Sequence, residues 1–154
     1  MSKIIILFIL FFSFQPSNKP ISGQELKGVW HDALSADGWG DTYQFLSDNN
    51  FIFHFSQMVD NKYASSLKGK YRIEEGHIIL TVANIEYVSS KPEKVSFYDG
   101  HWVVEPTAYT WQSLDKPVEA SIEINRGKSI NGHQCIILDG TNYYKMSKDP
   151  KKYP

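Results

Sequence analysis

Five histidines and one cysteine stand out among the reactive side chains of this 154-residue chain, and their spacing assembles no reaction centre. His31, His54, His77, His101 and His133 are scattered, and none lies two or four residues from another. Those are the spacings at which a strand or a helix presents two imidazoles to one metal ion. No metal site and no cofactor is therefore expected. His31 and Asp32 are neighbours, which in an extended chain sends them to opposite faces. Glu74 and Glu75 are the adjacent carboxylate pair that could do acid–base work, and before Gly76 they read most simply as a solvated turn. Glu86, Glu105 and Glu119 stand alone. Ser113 and Ser121 lack the glycine-flanked context of a nucleophile elbow. Cys135 lies between Gln134 and Ile136, the setting of a buried, inert thiol. A lone cysteine allows no internal disulfide, so the fold must stand on packing. No catalytic residue is expected.

The aromatic residues carry more information. Eighteen Phe, Trp and Tyr lie beyond residue 23, in a chain with little helical periodicity. Tyr43, Phe45, Phe53, Phe55, Tyr71, Trp102 and Trp111 are candidates to line a ligand cavity, with Trp39 and Phe51 beside them. The same side chains can instead fill a small barrel. Tyr and Trp carry polar tips, which suits an amphipathic ligand better than a plain hydrocarbon.

The elements that must position these residues begin after a leader. Lys3 precedes an unbroken apolar run at 4–12, and polar, Pro-containing residues follow at 15–22. The run is short for a bilayer span, which takes about 20 residues. The layout is that of a secretory signal peptide cleaved after Gly23, which implies export to a periplasm or the exterior and no stable membrane span afterwards. Fourteen basic and seventeen acidic residues remain beyond it. No basic block is present, so nucleic acid is not an expected partner. The rest is one domain at 24–147 with a polar tail at 148–154, expected to fray.

Within the domain the pattern is that of short strands. A short helical lead-in at 24–27 is followed by an extended run from Gly28. Residues 39–46 and 51–55 form a hairpin about a turn at 47–50. In 67–74, Leu67, Gly69, Tyr71 and Ile73 alternate with Lys68, Lys70, Arg72 and Glu74, a strand with one buried and one wet face. Glu75-Gly76 turns into a long β-branched run at 77–88. Asp99-Gly100 joins 95–98 to 101–104. Residues 109–111, 118–125, 133–138 and 143–146 complete about nine or ten strands. Short turns in chain order predict an all-β, up-and-down meander barrel of about 8–10 strands, with an antiparallel β-sandwich as the alternative.

Three stretches carry a family likeness. Gly28-Val29-Trp30 resembles the Gly-x-Trp that opens the first strand of lipocalins. The segment Tyr43-Gln44-Phe45 with Asp48-Asn49-Asn50-Phe51, and Leu67-Lys68-Gly69-Lys70-Tyr71-Arg72-Ile73, are similar to bacterial lipocalin-like (calycin) exported domains, as is the closing Leu138-Asp139-Gly140 with Tyr143-Tyr144-Lys145. The resemblance implies a barrel whose closed end is plugged by Trp30, with Lys145 stacked on the indole. It implies non-catalytic binding of a small apolar or amphipathic molecule inside the barrel, with loops at 36–38, 59–66 and 89–93 as its lip. A filled barrel that binds protein, such as a protease inhibitor or envelope-assembly factor, is the second expectation, and a hydrolase or isomerase on the same scaffold the third.

Overall fold

The computed structural model describes residues 19–35, 40–56, 64–88, 94–98, 101–105 and 108–152, with backbone alone for 88, 94–98 and 101–105. The leader run at 4–12, Trp39 and the expected lip segments 36–38, 59–63 and 89–93 lie outside these residues. Among the described residues no helix is long and apolar enough to cross a membrane.

Eight antiparallel strands form a closed ring in meander order. They are β1 (Gly28–His31), β2 (Thr42–Phe45), β3 (Asn50–His54), β4 (Ala64–Glu74), β5 (His77–Val88), β8 (Tyr109–Arg126), β9 (Cys135–Leu138) and β10 (Thr141–Ser147), and β10 returns to β1. The remaining two, β6 (Lys94–Tyr98) and β7 (His101–Glu105), pair only with each other, as a hairpin between β5 and β8. The expected barrel is thus the observed architecture. Closure follows from the hairpin turns. Glu75-Gly76 and Asp139-Gly140 have positive φ at both residues, the backbone that matches the twist of tightly joined strands.

Two expected segments are joined differently. Residues 109–111 and 118–125 belong to one strand, β8, interrupted in register. Val82 pairs with Val118 and Asn84 with Ser113, so residues 114–117 loop out opposite Ala83. Pro117 explains the break, since it cannot donate to a ladder. The β4–β5 ladder shifts at the same level, between Lys68 and Gly69. Bulges on adjacent ladders bend the sheet and raise its twist. Residues 64–66, expected in a lip loop, are strand residues of β4.

A four-residue helix, α1 (Gly23–Leu26), closes one end. Its start is a capping box: Glu25 N donates to Ser22 Oγ at 3.3 Å, and Ser22 N donates to Glu25 Oε2 at 3.0 Å. Arg126 Nη2 donates to Glu25 Oε1 at 3.0 Å. These bonds, the one from the Ser22 backbone first, hold the Glu25 carboxyl down at about 2. Leu26 and Ile21 enter the core cluster. A mature chain beginning at Gln24 lacks the Ser22 cap and the Ile21 side chain. It is expected to be about 2–4 kcal/mol less stable than one beginning at Lys19, as measured by urea unfolding of the two forms.

The tail, expected to fray, is described through residue 152. Pro150 is buried and its carbonyl accepts from Gln44 Nε2 at 2.8 Å.

Candidate functional site

The closed end is built around Trp30. Its indole Nε1 donates to Leu26 O at 2.6 Å, and the residue is 2 % exposed. Lys145 Nζ sits 4.9 Å from the ring centroid and donates to Glu25 O at 2.6 Å. Burial pushes the Lys145 ammonium down, and Lys148 adds to the shift. Gly28 has φ +137°, and a Cβ there would meet the Ser147 carbonyl oxygen. The first strand can therefore lie against β10 only with glycine at this position.

Beside Trp30, and completing the floor, the rings pack on one another. Tyr43 stacks on Phe45 at 5.5 Å and meets Phe53 at 4.7 Å and Tyr143 at 5.3 Å, while Phe45 meets Tyr71 edge-on at 5.1 Å. Tyr43, Phe45, Phe51 and Tyr71 are buried. Burial first, then the Asp41 carboxylate, pushes the Tyr43 phenol up to about 12, and burial also raises those of Tyr71 and Tyr143. These groups are neutral hydrogen-bonding tips at ordinary pH.

Five of the seven cavity candidates are thus brought together: Tyr43, Phe45 and Tyr71 in the floor, with Phe53 half-buried against it and Phe55 against Phe53 at 5.0 Å. Trp111 is not among them. It pairs across the ladder with Glu86, and its ring lies under Lys68 Nζ at 4.1 Å, on the other face of the sheet. Trp102 is in β7, and its side chain lies outside the described residues.

The register shows where the interior opens. One inward row runs Phe45, Phe51, Gly69, Val82, Val118 across five strands, and the next runs Trp30, Tyr43, Phe53, Leu67, Ile85, Gln112. Burial fades along each. Phe45 is fully buried, Val82 is half-buried and Val118 is 57 % exposed. The cause is strand length. The four-residue β9 pairs with β8 only at Ile124, Asn125 and Arg126, so among the described residues no strand pairs with that side of β8 at Val118 and Ala120. The result is a barrel with a ring-packed floor and an apolar, open upper wall. Val82, Ile85 and Val118 were not singled out as candidates from the sequence. Val118 alternates cleanly with Glu119, but the shortness of β9 could not be read there.

The polar side chains form a second, buried arrangement on the outer face. Gln44 Nε2 donates to Pro150 O, so its Oε1 faces His54 Nε2 at 2.7 Å. That nitrogen must carry the proton. The other ring nitrogen, Nδ1, then accepts from Ser66 Oγ at 2.9 Å. Ser66 is 2 % exposed, and this Ser–His–Gln chain ties β2, β3 and β4 to the carbonyl of Pro150. Burial holds the His54 imidazole down at about 4, against a weaker upward pull from Glu86. His31 is buried, with Nδ1 3.0 Å from the Ala33 backbone. His77 is exposed at a turn and His133 Nδ1 lies 3.0 Å from Lys145 O. Among the described residues no three His, Cys, Asp or Glu side chains converge as metal ligands. Cys135 is buried and its thiol is pushed up by desolvation.

No family model, no curated protein and no solved structure matches this chain.

Proposed function

We propose that the protein binds a small apolar or amphipathic molecule, without changing it chemically, against the uncovered inner wall of its barrel. The observation that supports this most is the exposure of Val118 at the end of an inward row whose other end, Phe45, is fully buried. A ligand laid on Val82, Ile85 and Val118 would remove apolar surface from water. About 200 Å² so buried is worth about 5 kcal/mol before the costs of association. Export through the leader and kinship with lipocalin-like domains belong to the same proposal, supported by the grouping of Gly28, Trp30 and Lys145 at the closed end.

Native mass spectrometry of protein purified without detergent from the exported fraction tests it. A discrete adduct that leaves on denaturation is expected, and Val118→Glu should abolish it, since a charge at that exposed position disturbs the wall and not the fold. A bare mass that persists after incubation with host lipid extract would overturn the reading. It would favour the protein-binding module, for which one observation speaks: β8 before Glu123 has β5 as its sole strand partner among the described residues, and a strand edge of this kind accepts an added strand.

A further inference from the structure

The aligned ladder shifts that bend the sheet also open its outer face. Between β3, β4 and β5 lies a groove of about 520 Å³, within the range of small-molecule pockets. Its shape follows from the bulge. Ala83 is the extra residue there, and β4 runs close against β5 at Gly69, where a Cβ would meet the Thr81 carbonyl. Ala83 brings only a methyl group to the lining, beside the apolar side chains of Ile52 and Leu46.

The rim has one sign of charge. Lys68 and Lys70 both line the groove, and no carboxylate does. Of the acids around it, Glu74 and Glu119 pair with Arg72, at 2.6 and 3.1 Å, and Glu86 accepts from Ser65 Oγ at 2.6 Å. Lys68 is held in place by the Trp111 ring beneath its ammonium, a contact that positions the charge without neutralising it. Asn84 uses its carbonyl oxygen to accept from Ser113 Oγ at 3.2 Å, which directs its amide N–H donors elsewhere. An apolar floor under two ammonium groups and an amide donor matches one ligand chemistry, an anionic head on a short apolar body.

We propose that this groove is a second binding site, taking a small amphipathic monoanion of the fatty-carboxylate class. The head lies between Lys68 and Lys70, and the body lies over Ile52 and Leu46. The site is on the opposite face of the sheet from the inner wall and does not depend on it.

Titration of the ¹⁵N-labelled full-length domain with octanoate, followed by amide chemical shifts, is the test. Saturable shifts are expected at 50–52, 68–70 and 81–84, weakening as salt is raised. Octanol should bind there at least tenfold more weakly, because it lacks the charge. Lys70→Ala, which alters an exposed side chain, should weaken octanoate about tenfold with an unchanged amide spectrum elsewhere. Val118→Glu should leave the groove shifts intact, so that failure of the inner-wall reading and failure of this one are separable. Shifts confined to 82, 85 and 118, equal affinity for octanol, or no saturable shift at millimolar octanoate would each overturn the proposal.

Discussion

Replacing Trp30 with alanine is expected to cost about 3–5 kcal/mol of stability, the largest effect of any single truncation in the barrel. Three contributions are lost together. The side chain is 2 % exposed and lies in the core cluster with Leu26, Tyr43 and Phe45. Its indole satisfies the Leu26 carbonyl at the end of α1. It also carries the Lys145 ammonium, which in turn donates to Glu25 O. Trp30→Phe keeps most of the apolar volume and loses the hydrogen bond and the better π-face. It is expected to cost about half as much. Urea denaturation of the two variants measures this. Equal losses for Ala and Phe would mean that the hydrogen bond and the Lys145 contact, rather than volume, hold the closed end. A loss below about 1 kcal/mol for alanine would show that the floor does not depend on Trp30.

The second large effect is a dependence on pH. His54 titrates near 4 in the folded chain and near 6.5 when unfolded. Between those values the unfolded state binds a proton that the native state refuses, so stability rises with pH across this window. The contribution is complete above about pH 6.5 and is lost progressively as pH falls towards 4. With allowance for the partial exposure of the ring, the loss amounts to about 2–3 kcal/mol. Glu25, held down at about 2, loses its contribution lower, as pH falls from about 4.5 towards 2. The two windows adjoin and can be told apart. Unfolding free energies measured at intervals from pH 7 to 3 should fall from 6.5 to 4.5 in the parent. In His54→Gln, which carries no titrating group there, the slope over that interval should be flatter by nearly one proton. Equal slopes in the two proteins would remove His54 from the account.

What could be read before folding, and what could not, divides along a physical line. Alternation was enough for β4: Leu67, Tyr71 and Ile73 face the core, and Lys68, Lys70 and Arg72 face out, as written in the sequence. Turn chemistry was enough for the hairpins at Glu75-Gly76 and Asp139-Gly140, because a two-residue turn with positive φ is a local matter. The capping box at Ser22 and Glu25 is equally local, four residues satisfying their own backbone. Tyr43, Phe45 and Tyr71 could be named as interior, but whether they lined a space or closed it depended on which rings met across the barrel.

The misplaced residue shows the limit. The sequence pattern groups Trp111 with the interior aromatics because a short run of apolar residues does not say which face it serves. A slip of one residue exchanges the faces, and the bulge at 114–117 separates the register of Trp111 from that of Val118. The groove beneath Lys68 and Lys70 is hidden for a related reason: it lies where a shift in the β4–β5 ladder falls beside one in the β5–β8 ladder, and β8 joins that level only when the barrel closes. The all-β class, the meander, the turns and the two-faced character of β4 are legible residue by residue, since they depend on local backbone preference and on period-two burial. The packing of the rings, the exposure of Val118 and the groove of the outer face are not, because each depends on the relative length and register of strands that meet only when the barrel closes.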